Sequence, residues 1–175
     1  MYRTIAVAAC VAASLSLAGA IAAPAAKPTD PQIAHIAYTA DQLDIEGGKQ
    51  ALDKSKNQDV RAFAQRMVVD HTAVNDQALA LVKKLNVTPE DNPTSQSLTQ
   101  AADAERKKLA GLDGAAFDKA YVDNEVAYHK TVNEALSKTL IPDAQNAELK
   151  SLLEKGLKLF ESHQQHAEAL AKQLH

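Results

Sequence analysis

The sequence predicts an all-α fold: a four-helix bundle with a short extra crossover helix, preceded by a signal peptide. Aromatic residues make up only 4% of the 175 residues and Trp is absent, while Ala and Leu dominate the apolar positions, which suits closely packed helices better than strands. Apolar residues recur at helical spacing from about residue 31 onward, and no strand-like alternation persists. Gly and Pro stand between these stretches, where helices end.

The first thirty residues have a different composition from the rest. Arg3 precedes an uncharged run from Ile5 to Ala22, and Ala18-Gly19-Ala20 is typical of a signal-peptidase site. The alternative is an uncleaved membrane anchor, because about 18 residues just span a bilayer, but the weakly apolar Ala-rich run favours cleavage. We therefore expect an exported, periplasmic or cell-envelope protein with three parts: a signal peptide (1–20), a flexible leader (21–30) and the bundle (31–175).

Charge and cysteine content narrow the range of partners. The formal net charge of −3 is spread along the chain without a basic block, so nucleic acid is not an expected partner. Cys10, the only cysteine, lies in the predicted signal peptide. A metal site in the mature chain must therefore use His, Asp and Glu. The sequence identifies no protein partner, and membrane contact is expected only through an uncleaved signal segment.

Periodicity and breakers place five helices. The predicted bounds are Pro31 to about Lys56, the N-cap Asn57 to about Leu85, Ser95 to Ala110, Asp113 or Gly114 to about Thr139, and a last helix with Pro142 in its first turn. The helix of residues 95–110 is shorter than the others. We expect it to be the crossover that connects the second and third long helices.

Ionisable residues interrupt the apolar faces near the middle of every long helix. They are Asp44, His71, Glu125, His129 and His163. Buried charges are costly unless they are paired, and imidazole and carboxylate groups that converge from facing helices are how bundles build metal sites. The pattern therefore predicts a transition-metal site for Zn, Cu, Ni, Mn or Fe, with Asp70 as a candidate supporting partner of the neighbouring His71.

One alternative interpretation of these five residues stays open. The same five residues could form a polar network that only sets the register of the helices, in a structural or protein-interaction module.

The pair Gly47-Gly48 inside the first helix costs roughly 1 kcal/mol per Gly relative to Ala. It indicates a close helix approach, a kink beside Asp44, or a tolerated defect.

One segment resembles a known family. The string Val-x-x-Phe-Ala-x-x-Met-x-x-Asp-His-Thr, from Val60 to Thr72, is similar to the signature of exported bacterial proteins described as domain of unknown function 4142. Phe117-Asp118-x-x-Tyr121-Val122 with His129, and the late His163, also match. The resemblance implies a ferritin-like four-helix bundle and brings no established activity.

The chain departs from related patterns at several positions. The family usually has Glu where this chain has Asp44. The Glu-x-x-His pairs of oxygen-activating di-iron ferritins are absent, because Val68, Val126 and Phe160 stand three residues before the histidines. A His-rich, carboxylate-poor set suits Zn, Cu or Ni better than a carboxylate-bridged di-iron centre. A ferritin-type oxidoreductase therefore stays open only as the least favoured interpretation, and the sequence identifies no catalytic residue.

Overall fold

The computed structural model describes residues 27–174, so the predicted signal peptide, and all but the end of the predicted leader, lie outside the described residues. Helical structure accounts for all the regular elements in this part of the chain. They are α1 (Asp30–Lys54), α2 (Gln58–Lys84), α3 (Pro93–Ala110), α4 (Gly114–Ala135), a π-helical turn (Leu136–Leu140), the three-residue α5 (Ile141–Asp143) and α6 (Ala147–Ala171). None of these helices is long and apolar enough to cross a membrane.

Four long helices form the bundle. α1 packs along α2, and α4 packs along α6, while contacts of α2 with α6 and of α1 with α4 join the two pairs. α3 lies mainly against α1 and connects α2 to α4. The predicted all-α bundle with a short crossover helix is thus confirmed.

Asparagine side chains start three of the helices. Asn57, Asn92 and Asn146 each accept hydrogen bonds from two backbone amides in the first turn of α2, α3 and α6 respectively. These bonds satisfy amides that have no partner inside a helix, and such a cap stabilises a helix by about 1 kcal/mol. Asn57 was predicted as a cap. Asn146 was not.

The last helix begins later than predicted. Pro142 lies in α5, and α6 starts only at Ala147. Before the proline the backbone widens into a π-helical turn, in which the Ile141 amide donates to the Leu136 carbonyl. A proline cannot donate to the carbonyl four residues back and its ring clashes there, so the helix is interrupted at this point. The carboxylate of Asp30 then accepts from the amides of Gln145 and Asn146, both at 2.8 Å.

The apolar core consists of two clusters. One contains Phe63, Met67, Phe117 and Tyr121 with smaller residues, and the other is built around Ile33, Leu136, Leu153 and Phe160. In α2, α4 and α6 the predicted site residues fall between the residues of the first cluster and those of the second. The ionisable layer therefore crosses the bundle where the two apolar clusters meet.

Candidate metal centre

The structure brings all five ionisable residues of the helix faces into one buried group. Asp44, His71, Glu125, His129 and His163 are each 1–3% exposed. The three imidazole rings have centroid separations of 5.2–5.6 Å. One nitrogen from each ring lies within 4.8 Å of the other two, and a second group of the same kind joins Asp44, Glu125 and His129. Two sets of candidate ligands thus share His129.

Two aspartates of α1 hold His71 from either side. Its Nδ1 lies 2.6 Å from Oδ1 of Asp41 in a buried hydrogen bond. Its Nε2 lies 2.7 Å from Oδ2 of Asp44, yet the angles are unsuited to a hydrogen bond. The Nε2 of His129 lies 3.4 Å from the same Asp44 oxygen. One oxygen of Asp44 thus lies next to the Nε2 atoms of both imidazoles.

The other two imidazoles are also held through one nitrogen. Nδ1 of His129 donates to the backbone carbonyl of Glu125 at 3.0 Å. Nε2 of His163 lies 2.9 Å from Oδ2 of Asp70. Hydrogen bonds of this kind fix the ring orientation and the tautomer of a metal-binding histidine. All three histidines therefore have one nitrogen anchored by an acceptor.

The unanchored atoms are buried without hydrogen-bond partners. They are Nε2 of His71, Nε2 of His129, Nδ1 of His163, both carboxylate oxygens of Asp44 and Oε2 of Glu125. Buried polar atoms in proteins are almost always satisfied by protein groups or ordered water, so a group of such atoms requires an explanation. Six of them in one layer make this a candidate site for a polar or positively charged ligand.

The supporting aspartates differ from the sequence prediction. Asp70 was expected to support its neighbour His71, but it contacts His163 instead, because adjacent residues on a helix point in different directions and Asp70 faces α6. His71 is supported by Asp41, which the sequence reasoning missed. The available signal was its position three residues before Asp44, which puts both carboxylates on the same face of α1.

An aromatic ring closes the histidine side of the site. The Phe160 ring stacks on the His71 ring with centroids 4.5 Å apart and planes inclined by 13°. Phe160 is itself only 5% exposed and belongs to the apolar core. Its ring limits the orientations that the imidazole can adopt and keeps solvent from that face.

Opposite charges determine protonation at Asp44 and His71. Burial opposes the charged form of Asp44, but the neighbouring His71 outweighs it and lowers the pKa of the carboxyl below its usual value. Burial likewise opposes the charged imidazole of His71, but Asp44 and Asp41 raise its pKa to about 10. Without a metal, His71 is therefore a buried imidazolium next to an ionised Asp44.

Burial favours the neutral form of the remaining groups of the site. Burial, reinforced by the charge of Asp44, raises the pKa of Glu125 well above its usual value. Burial lowers the pKa of His129 and brings that of His163 to about 4. Two neutral imidazoles are thus available as ligands, and the third becomes available when it loses a proton.

The three imidazoles form one candidate ligand group, and Asp44 and Glu125 with His129 form the other; imidazole and carboxylate donors of this kind suit Zn, Cu and Ni. A four-coordinate ion with bonds near 2 Å holds its ligand atoms roughly 3–3.5 Å apart, close to the 2.7 and 3.4 Å between Asp44 and the two imidazoles. Glu125 lies in the second group, with Oε2 3.5 Å from Nδ1 of His129. It can supply a further oxygen once it is ionised.

Comparisons with known proteins support the fold and the resemblance. A search of curated proteins gives no significant match. A solved structure from Streptomyces coelicolor, of a protein described as secreted and as domain of unknown function 305, superposes with a TM-score of 0.66 at 16% identity, over 78% of this chain and 87% of that one. The similarity shows a shared fold. The family described as domain of unknown function 4142 matches residues 16–170, and the chain belongs to this family.

Proposed function

We propose that the protein binds one transition-metal ion in the core of the bundle. The ligands are Nε2 of His71, Nε2 of His129, Nδ1 of His163 and a carboxylate oxygen of Asp44. One observation carries the proposal: each of the three imidazoles has one nitrogen bonded to an acceptor and the other buried without a hydrogen bond. An exported protein that works in the periplasm or cell envelope would meet such ions outside the cytoplasm.

The arrangement resembles a prepared metal site more closely than a closed polar network. A network that only sets register would pair donors with acceptors, since each unpaired buried polar group costs about 1–3 kcal/mol. Here both oxygens of Asp44 and one nitrogen of every histidine remain without a hydrogen bond. A divalent cation in their midst would satisfy these atoms together, and it would replace the proton of His71.

A specific observation favours the second candidate function, a structural module. His71 lies between Asp41 and Asp44 at 2.6 and 2.7 Å, and its raised pKa makes this an ion triad that joins α1 to α2 without any metal. Removing one member of a buried ion pair typically costs 3–5 kcal/mol. In this case His71 would stabilise the bundle equally in the presence and absence of metal ions.

Metal titration of untagged, metal-stripped mature protein separates the two functions. At a free metal concentration about a hundred times the dissociation constant, binding stabilises the fold by roughly 2.7 kcal/mol. For a domain of about 150 residues this raises the melting temperature by about 5–10 °C. We expect this rise with Zn, Cu or Ni, and a smaller one with Mn or Fe, whose preferred sites contain more carboxylate.

The matched variants are His163→Ala and His166→Ala. His163 is a proposed ligand, whereas His166, one turn later on α6, is exposed. We expect His163→Ala to abolish the metal-dependent rise and His166→Ala to keep it. If no metal moves the melting curve of the wild-type protein, the cluster is a structural network.

A further inference from the structure

A cavity lies under the crossover helix, beside the proposed metal site. Its volume is about 270 Å³, and its lining comes from α1, α3 and α4. α3 has two buried residues, Ser95 near its start and Leu109 near its end. Between them α3 crosses the cavity with only half-buried or exposed side chains, including Leu98 and Ala102. The crossover helix is therefore anchored at both ends and roofs the cavity in between.

The cavity has an apolar wall and a polar floor. Leu43, Leu98 and Leu109 contribute to the wall, and Ala101, Ala127 and Thr131 are exposed residues at its mouth. The floor is formed by Asp44, Tyr121 and Glu125, which are at most 3% exposed. Both Asp44 oxygens, Oε2 of Glu125 and the Tyr121 hydroxyl lack a hydrogen-bond partner. Unsatisfied polar atoms thus lie at the floor of a largely apolar space, whose lining also includes Glu105, Arg106 and Asn124.

The two adjacent glycines of α1 have different structural roles. A Cβ atom on Gly48 would lie 2.9 Å from Cγ2 of Val68 and 3.0 Å from the carbonyl oxygen of Ala64, so close packing on α2 requires glycine there. A Cβ on Gly47 would meet only Oε1 of Glu125, at an ordinary 3.8 Å. Gly47 lines the cavity, although glycine in a helix costs roughly 1 kcal/mol relative to Ala. Its missing side chain leaves the cavity open next to Glu125.

We propose that this cavity binds a small, largely apolar molecule that carries one hydroxyl group. Its volume lies just below the roughly 300–1,000 Å³ of pockets for drug-sized ligands. A carboxylate oxygen of Asp44 only accepts hydrogen bonds, and the Tyr121 hydroxyl can donate one. A hydroxyl group does both, so a single one satisfies Asp44 and Tyr121 while the apolar part contacts Leu43 and Leu98.

The proposal does not depend on a bound metal. Asp44 has two oxygens without hydrogen bonds, so one can contact an ion while the other accepts from the ligand. Phenol is a suitable probe and benzene is its matched control, since the two differ only in the hydroxyl group. Ligand-observed NMR measures the binding of both probes to the mature protein, once stripped of metal and once loaded with Zn.

Tyr121→Phe tests the role of the floor. It removes one hydroxyl group that has no hydrogen-bond partner in the ligand-free fold. We expect phenol to bind the wild-type protein more tightly than benzene, and the substitution to weaken phenol roughly two- to tenfold, which corresponds to one neutral hydrogen bond. Benzene binding should stay unchanged. Absence of phenol binding to the folded wild-type protein, or equal loss of both probes in Tyr121→Phe, overturns the proposal.

The double variant Gly47→Ala/Ala102→Leu tests whether the ligand occupies the cavity. Both added side chains enter the cavity, and neither residue is a proposed metal ligand. Ala73→Leu, at an exposed position of α2, is the control. We expect the double variant to lose phenol binding and to keep the metal-dependent rise in melting temperature. Undiminished phenol binding in the folded double variant contradicts the proposal, whereas phenol binding to a wild-type protein that binds no metal contradicts only the proposed metal site.

Discussion

The two groups of candidate ligands share His129 but differ in their surroundings. On the histidine side, His71 and His163 are held by aspartates and closed off by the ring of Phe160. On the carboxylate side, Asp44 and Glu125 form the floor of a cavity whose mouth reaches solvent. In the proposed metal site, the anchored side would fix the coordination geometry and the open side would give access. A buried ion needs both, because it must enter a site that is already shaped for it.

The largest effect is expected where the two sides meet. His129→Ala removes the ligand common to both groups, so we expect at least a hundredfold loss of metal affinity in calorimetric titration and no metal-dependent rise in melting temperature. His166→Ala should behave as the wild type. If His129→Ala binds metal as tightly as the wild type, the ion does not lie between the two sides.

A smaller loss of metal affinity is expected when an aspartate that hydrogen-bonds one of the histidines is substituted. Asp70→Asn keeps the shape of the side chain but removes the charge that orients His163, and substitutions of this kind typically cost 10–100-fold in metal affinity. The matched control is Asp76→Asn, on the same helix and exposed. Equal affinities of the two variants would mean that the position of His163 does not depend on Asp70.

His163 and His71 contribute to the pH dependence of the metal-free protein's stability in opposite directions. The pKa of His163 is about 4 in the fold and about 6.5 in an unfolded chain, so the unfolded state binds more protons below pH 6.5 and stability falls toward pH 4. The pKa of His71 is about 10, so the folded state keeps a proton that the unfolded chain releases. The stability that His71 contributes is therefore lost between pH 6.5 and 10.

Urea titrations at several pH values measure both arms of this profile. His163→Gln should flatten the acid arm, and His71→Gln the alkaline arm. A metal that binds through His71 should release protons near pH 7, which calorimetry in buffers of different ionisation enthalpy detects. If stability still falls above pH 6.5 in His71→Gln, a group other than His71 causes that fall.

The smallest effects concern the two glycines of α1. Gly48→Ala forces a Cβ into Val68 and the Ala64 carbonyl and should destabilise the fold by about 1–3 kcal/mol. Gly47→Ala meets only an ordinary contact and should stabilise it by up to about 1 kcal/mol. Chemical denaturation of both variants gives the comparison. A destabilising Gly47→Ala would show that the open side tolerates no filling.

Helical periodicity carried most of the information about the fold. The apolar stripes of α2 and α6 predicted which faces are buried, and a histidine within each stripe had to face the core with them. That argument works because side chains three and four residues apart share a helix face. It extends to the meeting of His71, His129 and His163, since helices of similar length in a bundle place their middles at similar depth.

Contacts between helices were harder to predict. Whether Asp70 faces His71 or His163 depends on the rotation of α2 relative to α6. The sequence of α2 alone does not determine this rotation. Asp41 was overlooked because it lies at the edge of the apolar stripe of α1 rather than within it. The start of α6 depended on a competition between Pro142 and Asn146, which the π-helical turn and the contacts of Asp30 decide.

The carboxylate of Asp30 ties the first residue of α1 to the turn before α6. Its two oxygens accept from the amides of Gln145 and Asn146, more than a hundred positions along the chain. Amides just ahead of a helix usually exchange with solvent deuterium within the fastest phase, because fraying releases them. Here exchange requires the start of α1 to separate from the turn before α6. We expect these two amides to exchange as slowly as the core, and Asp30→Ala to make them fast while the amides of α2 stay protected.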